Sequence, residues 1–452
     1  MQLWTKTHQC RWFVQRACEW TQYQYRYAIP SRLVERLLAT LDTSVSTNQQ
    51  KTLISMLTTV FTSPIPLVNL STSDIVSTLI TLILRRVVVN PKDDLLALLV
   101  ESIASLGAHV YYSDQIQDLA SELVSRLVTI DTQGPLNQQK DVTEARSQAI
   151  RCLLAGLLGL MLAADNQNDC RHPVPGTSSP LSRPSQRARV SGEIWYDILG
   201  LLCDGDFAVR SDFAQSLVTY LRCEISKVDV DSARPRALNG TSTHPNSISI
   251  LLFGDSATRS LHAIHAYLFL LLTSPFLGSS FRTPVPPNYP PSGDITTVGT
   301  SSITEGDHPQ NGEVIDGQPS SSRRRSVDPA ARSRKSSSAH LLDPVSAKVT
   351  SSCSASLSDY ALVLRVLTAI HEEVPVRGLV TGVPMLVALE SAAEFDETAD
   401  VSTRQRAAAL KEVLAHVWLS IGRVWKCTEL IDRVEDVSTS RGIGCFVTCF
   451  II

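Results

Sequence analysis

The chain has 452 residues, of which 43% are hydrophobic and 19% charged, a globular composition long enough for several buried cores. The net charge of −3 excludes an overall basic field that would attract nucleic acid non-specifically. Ten cysteines lie scattered rather than at framework spacings, and no signal-peptide pattern opens the chain. We therefore expect an intracellular protein, and no transmembrane helix is predicted because no apolar run reaches ~20 residues.

Apolar residues recur at three- and four-residue spacing through most of the chain, and strand-like alternation is absent. Polar stretches rich in Pro, Ser and Gly interrupt this pattern and are expected to be linkers or disordered. The segments predicted are an atypical N-terminal segment 1–28, helical repeats 29–165, a linker 166–191, helical repeats 192–277, a disordered Pro/Ser-rich basic insert 278–356, helical repeats 357–437 and an atypical tail 438–452. The fold class predicted is all-α, a HEAT/armadillo-like helical-repeat solenoid with disordered insertions.

Residues 194–221 match a HEAT repeat most closely, with an apolar helix, an Asp at the turn and a second helix. Asp206 is expected to cap the second helix by accepting bonds from its free N–H groups. Arg210 is four residues further on, and can bridge to an acidic side chain of the same or a neighbouring repeat. The other positions of this repeat signature are expected to face inward: Val209, Ala214 and Leu217.

Sequence motifs for catalysis are not found: there is no phosphate-binding glycine loop, nucleophile elbow or His-Glu-x-x-His. His371 is followed by two glutamates and Val374-Pro375, and is interpreted as part of a solvated last helical turn. His262 and His265 are three residues apart, but no third ligand stands at metal spacing. We therefore predict no catalytic residue, metal or cofactor; an enzyme would require a pocket of convergent ionisable residues.

A basic cluster in the predicted insert is the strongest local charge signal. Flexible positive charge can adsorb to anionic lipid at ~1 kcal/mol per basic residue. Ser326 follows three arginines, as a basophilic kinase requires, and its phosphate would weaken that contact. The alternative is a solvated linker with incidental phosphorylation. The candidate lipid-contacting residues are Arg323, Arg324, Arg325, Arg332, Arg334 and Lys335.

Four passages, in the same order along the chain, resemble the fungal branch of the rolling-blackout family, also called eighty-five-requiring. They begin SIASLGAHVYY at Ser102, EARSQAIRCLL at Glu144, IWYDILGLLCDGDFAVR at Ile194 and DYALVLRVLTAIHEEV at Asp359. The resemblance implies a non-catalytic scaffold at the cytoplasmic face of the plasma membrane. Such a scaffold recruits a phosphatidylinositol 4-kinase complex through adaptor subunits and supports phosphatidylinositol 4-phosphate synthesis, with no nucleic-acid or small-molecule substrate.

The two ends of the sequence depart from that family, which typically begins with a cysteine-containing, basic N-terminal patch. Here Cys10 and Cys18, with nearby basic residues, are weak candidates for acylation. The tail from Ser440 abandons helical patterning. These features favour a chain truncated or mis-spliced at both ends, cytosolic if it is a fragment. The alternative function is a generic soluble HEAT/armadillo adaptor in trafficking or nuclear transport.

Overall fold

The computed structural model describes residues 7–40, 47–63, 65, 67, 69–109, 115–133, 142–170, 189–225, 256–280, 355–394 and 400–440. Every regular element in these ranges is helical, which confirms the predicted all-α solenoid. The α-helices, numbered among the described residues, are α1 Thr7–Trp20, α2 Ala28–Ala39, α3 Thr47–Thr62, α4 Thr72–Val89, α5 Leu95–Ser105, α6 Gln115–Gln133, α7 Val142–Cys170, α8 Phe207–Cys223, α9 Ser256–Ser280, α10 Leu357–Glu373, α11 Pro375–Ala392, α12 Val401–Trp425 and α13 Thr428–Ser440.

The helices stack because each carries an apolar stripe that it cannot bury alone. Helix α7 packs against α4, α5, α6 and α8, and α8 packs in turn against α10. The inner positions of α7 are fully buried, and they recur at helical spacing: Ile150, Leu153, Leu154, Leu157 and Met161. One contiguous hydrophobic core therefore runs from α1 to α12.

Close helix contact depends on small residues in α5 and α7. A Cβ at Gly159 would lie 2.4 Å from the Cβ of Ala104, and a Cβ at Gly107 would lie 2.4 Å from the carbonyl oxygen of Leu160. Real atoms do not approach so closely, so a larger residue would push the two helices apart. Gly107, which follows α5, is thus a packing contact with α7.

The first helix of the HEAT-like repeat differs from expectation in its type. Residues Gly192–Cys203 form a 3-10 helix, capped by Ser191, whose side chain accepts a hydrogen bond from the N–H of Glu193. A 12-residue 3-10 helix is uncommon, because its hydrogen-bond geometry is poorer than that of an α-helix. Trp195 lies buried within it, and its ring centroid is 5.0 Å from that of Tyr220. Tertiary packing therefore holds this helix in its 3-10 geometry.

Two helices continue past the predicted ends of their repeat segments, and parts of the predicted linker, insert and tail lie outside the described residues. Helix α7 reaches Cys170, within the predicted linker, and α9 reaches Ser280, within the predicted insert. Most of the linker, residues 171–188, most of the insert, 281–354, and the tail from 441 lie outside the described residues.

One described helix, Thr143–Asn166, is long and apolar enough to cross a bilayer by length and composition. It was not anticipated from the sequence, because polar side chains break the longest uninterrupted apolar runs. More than half of it is buried inside the protein, as expected for the central core helix α7.

Candidate functional site

The HEAT-like repeat signature forms a helix cap and an inner stripe. Asp206 stands at the N-cap of α8 with extended backbone and accepts a hydrogen bond of 2.9 Å from the N–H of Ala208. Val209, Ala214 and Leu217 are completely buried. These positions shape the solenoid and leave no polar group for a ligand.

Arg210 makes a long-range contact from the same repeat. Its guanidinium donates to both carboxylate oxygens of Asp359 at 2.7 and 2.8 Å, and to the carbonyl of Asp204 at 2.6 Å. Asp204 in turn accepts from Arg146, which also donates to Asp131. A chain of charged side chains thus joins α6, α7, the turn before α8, and α10.

The region around His371 differs from the sequence interpretation. His371 is completely buried, although Glu372 beside it is exposed. The interpretation as a solvated last turn is therefore wrong for His371. His371 is buried because α11 begins at Pro375 and brings Gly378 and Gly382 against its imidazole. His265 of α9 is also buried there, whereas its helix neighbour His262 is exposed.

Helix α1 packs its cysteine-bearing face on the rest of the protein. Cys10, Val14 and Cys18 recur every four residues and are buried, with α1 lying against α3. Burial raises the pKa of the Cys18 thiol, the largest influence on it. A transferase could reach neither sulfur while α1 is packed, so the structure does not favour either cysteine as an acylation site.

The opposite face of α1 exposes a stripe, hereafter the α1 stripe, formed by Trp12, Arg16 and Trp20. At 100° per residue these positions lie across the helix from the buried cysteines. Trp12 is 55% and Trp20 73% exposed, and the Arg16 guanidinium lies 5.9 Å from the centre of the Trp12 ring. Arg16 also pairs with Glu19 at 2.5 Å.

More aromatic side chains surround the α1 stripe. The Arg26 guanidinium lies 5.8 Å from the centre of the Tyr23 ring, so an arginine–aromatic pair recurs just beyond the helix. Aromatic residues are the largest apolar groups in the protein and are rarely left in water in such numbers. The further exposed members are Phe13, Tyr23, Tyr25 and Tyr27. The surface combines large amphipathic rings with positive charge, and sequence patterning alone did not single it out.

The remaining predicted residues cannot be located. The basic cluster Arg323, Arg324, Arg325, Arg332, Arg334 and Lys335, and the phosphorylation candidate Ser326, lie outside the described residues. Within the described ranges, no group of three or more His, Cys, Asp or Glu side chains is arranged to hold a metal ion.

Stacked helix pairs and an extended surface define the class: the protein is an all-α helical-repeat solenoid. The family model described as "EFR3 protein" matches residues 11–157. Protein EFR3 of Cryptococcus neoformans var. neoformans serotype D is 28% identical over 467 residues, covering 93% of this chain and 40% of that relative. The chain is thus similar to the EFR3 family, which confirms the resemblance seen in the sequence.

Other fungal relatives match shorter parts. Protein EFR3 of Mycosarcoma maydis is 29% identical over 275 residues, covering 50% of this chain and 26% of the relative. Protein efr-3 of Neurospora crassa is 23% identical over 279 residues, covering 54% of this chain and 24% of the relative. The chain spans about two fifths of the length of its Cryptococcus relative and less of the others. No solved structure matches the chain.

The match to the family model begins within the N-terminal segment. The matched region begins at residue 11, inside α1 and inside the predicted segment 1–28. All three residues of the α1 stripe therefore lie within the part of the chain that is similar to the family.

Proposed function

We propose that this protein is a non-catalytic, peripheral scaffold at the cytoplasmic face of the plasma membrane, and that it holds a phosphatidylinositol 4-kinase complex there through adaptor subunits. Similarity to the EFR3 family supports a membrane scaffold role in general. The solenoid supports it further, since stacked repeats offer long surfaces for protein partners. The observation that carries the membrane part of the proposal is the α1 stripe.

The α1 stripe suits a bilayer interface for a physical reason. Trp and Tyr rings have an apolar body and a polar edge, and they concentrate at the headgroup level. Arginines keep their charge in water or on anionic phosphate while their stems lie along apolar surface. Trp12 and Trp20 would enter the interface, with Arg16 between them facing lipid phosphates. Because Cys10 and Cys18 anchor the other face, α1 can bind a membrane without leaving the fold.

The basic insert would add a second, electrostatic contact. Six basic residues between 323 and 335 would contribute mainly at low salt, because charge attraction is screened within a Debye length. Phosphate on Ser326 would cancel part of this charge. Two weak contacts on one chain combine their affinities, which is how peripheral proteins reach stable binding.

The test is flotation of the purified full chain with liposomes that contain or lack phosphatidylserine. The variant Trp12→Ala/Trp20→Ala is expected to lower the bound fraction at all salt concentrations, by about tenfold in the partition coefficient. Val88→Ser/Val89→Ser is the matched control, because those side chains are 73% and 86% exposed and belong to α4 rather than to α1. Equal binding of all three proteins would contradict the proposed surface.

The insert is tested separately by changing Arg323, Arg324, Arg325, Arg334 and Lys335 to Ser. This variant is expected to lose binding at low salt and to match the parent protein at high salt. Failure of the parent protein to float under any condition would favour the soluble adaptor instead.

Recruitment is tested by reconstituting the lipid-kinase complex with these liposomes. Kinase retention that depends on the chain supports the scaffold role. Retention that is the same without it contradicts that role, whatever the liposome result.

A further inference from the structure

Seven of the described helices form one layer of the solenoid, in which each helix packs against the next: α1, α3, α5, α7, α8, α10 and α12. From α3 onward, neighbours in this layer are joined by ion pairs between exposed side chains. Lys51 of α3 pairs at 3.4 Å with Asp94, which precedes α5. Lys92, also before α5, pairs with Glu144 of α7 at 3.1 Å. A cation of one repeat therefore meets an anion of the next.

The same pattern continues through α8 to α10. Arg151 of α7 pairs with Asp212 of α8 at 2.7 Å. Arg222 at the end of α8 pairs with Glu373 at the end of α10 at 3.5 Å. Because Arg210 near the beginning of α8 also contacts the beginning of α10, the two helices lie side by side and run in the same direction.

The pattern stops between α10 and α12. These helices pack together, yet among the described residues no ion pair joins them. Arg365, in the middle of α10, is exposed and forms neither a hydrogen bond nor an ion pair through its side chain with any described residue. Helix α12 offers it no anion, because Glu412 is the one acid of that helix and is buried. The exposed charges of α12 are basic, as at Arg404 and Arg423.

Arg365 lies in an unfavourable electrostatic environment. Partial burial is the largest influence that lowers the pKa of its guanidinium, and the positive charge of Arg222 lowers it further. Arg151 shows the opposite effect, because its hydrogen bond with Asp212 raises its pKa. Glu372, about two turns further along α10, is paired with neither Arg365 nor Arg222 in the described part of the chain. An anion from a partner would stabilise the charge on Arg365.

The surroundings of Arg365 favour a protein carboxylate over a membrane phosphate. Ala361 and Thr368, one turn to either side on the same face of α10, are small and partly exposed. No large hydrophobic side chain of α10 is exposed, so nothing on this helix would enter a bilayer as the α1 stripe would. A small polar surface accommodates an extended polar chain, and one carboxylate can accept two parallel N–H bonds from a guanidinium.

We propose that the exposed face of α10 around Arg365 binds an acidic segment of a partner protein, and that a carboxylate of this segment pairs with Arg365. The partner supplies the anion that α12 lacks, so the row of ion pairs continues from the solenoid into the partner. This inference rests on the proposed scaffold function for the presence of protein partners, and it names a surface that they contact. Its test uses neither liposomes nor kinase, so either proposal can fail without the other.

Fluorescence anisotropy with a dye-labelled deca-glutamate peptide tests the site. Deca-glutamate is expected to bind at low salt, and deca-glutamine of the same length is expected to bind at least about tenfold more weakly. Equal binding of the two peptides, or no binding of deca-glutamate, would overturn the proposal. The predicted basic insert would attract the same peptide, so every protein in the test is the full chain with five of its residues changed to Ser: Arg323, Arg324, Arg325, Arg334 and Lys335.

Two variants in this background assign the binding to α10. Arg365→Gln is expected to weaken deca-glutamate binding about tenfold, through loss of one charge-assisted contact. Arg32→Gln is the matched control, because Arg32 is exposed on α2 and pairs with Glu35 of its own helix. The affinity of the control should stay within about twofold of the parent. Unaltered binding by Arg365→Gln, or equal losses in both variants, would contradict the site.

Thermal unfolding of Arg365→Gln provides an independent check. The variant should melt at the same temperature as the parent or higher, because it removes a charge that Arg222 repels. A clearly lower melting temperature would reveal an acidic partner within the chain and would overturn the proposal.

A soluble lipid tests the other source of an anion. Dihexanoyl-phosphatidylserine, kept below its micelle concentration, is expected not to displace deca-glutamate when the two are equimolar. Displacement that depends on Arg365 would assign this surface to a lipid phosphate and would overturn its assignment to a protein partner.

Discussion

Arg210 and Asp359 are 149 residues apart in sequence, yet their side chains form a buried two-bond ion pair at 2.7 and 2.8 Å. Asp359 is completely inaccessible to solvent and also accepts from the backbone N–H and the hydroxyl of Ser356, which caps α10. The pair therefore fixes the position of α10 on α8 across the whole predicted insert.

Removing one partner of this pair is expected to be strongly destabilising. Arg210→Met should lower the free energy of unfolding by about 3–5 kcal/mol, because it leaves the Asp359 charge buried without its partner. Urea titration measures this value. The matched control is Arg151→Met, which breaks a 2.7 Å pair with Asp212 whose side chains are 42% and 39% exposed. That control should lose less than ~1 kcal/mol. Similar losses in both variants would contradict the account.

A second prediction concerns the contact between α5 and α7. Gly159→Ala should lower the free energy of unfolding by about 1–3 kcal/mol, because the new Cβ would overlap the Cβ of Ala104. Gly200→Ala serves as the control, since a Cβ there meets nothing within 4 Å. The control should be neutral or slightly stabilising. Thermal unfolding of both variants measures these changes. Equal stability of Gly159→Ala and the parent protein would mean that α5 and α7 can move apart without cost.

The buried histidines predict how stability changes with pH. Burial lowers the pKa of His371 to about 4 and that of His265 to about 3, below the 6.5 of an ordinary histidine. The unfolded chain therefore binds more protons than the folded protein as pH falls below 6.5. The contribution of the two histidines to the free energy of unfolding is complete above that pH. It shrinks on acidification towards pH 4 and 3, by up to ~1.4 kcal/mol per pH unit for each ring.

Urea titrations between pH 7.5 and pH 5 measure this slope. His265→Leu should make the dependence shallower, because one of the two linked groups is gone. A variant with the slope of the parent protein would show that His265 is protonated as easily when folded as when unfolded.

Thiol accessibility provides a prediction for the N-terminal helix. Cys10 and Cys18 are buried in the folded protein, whereas Cys427 is partly exposed at the end of α12. Brief treatment with a maleimide should label Cys427 well before either N-terminal cysteine, since both of those thiols are buried and burial raises the pKa of Cys18. Peptide mapping by mass spectrometry identifies the labelled sites. Rapid labelling of Cys10 and Cys18 would show that α1 detaches readily and would restore them as acylation candidates.

Much of the architecture could be predicted because its causes are local. Apolar residues at three- and four-residue spacing specify an amphipathic helix wherever they occur, and such helices must stack. Asp206 bonds to an N–H only two residues away, so its position before α8 was sufficient to suggest a cap. The order of the helical passages was likewise sufficient to indicate the family.

The partners and burial of individual side chains were decided by contacts between residues distant in sequence. The sequence predicted that Arg210 would find an acid, but only the packing of α10 on α8 selected Asp359. His371 ends its helix as a solvated residue would, and α11 buries it by folding back. The periodicity of α1 indicates two faces without saying which one packs. Helix formation depends on neighbours within one turn, whereas burial depends on which helices meet, and that is a property of the tertiary structure alone.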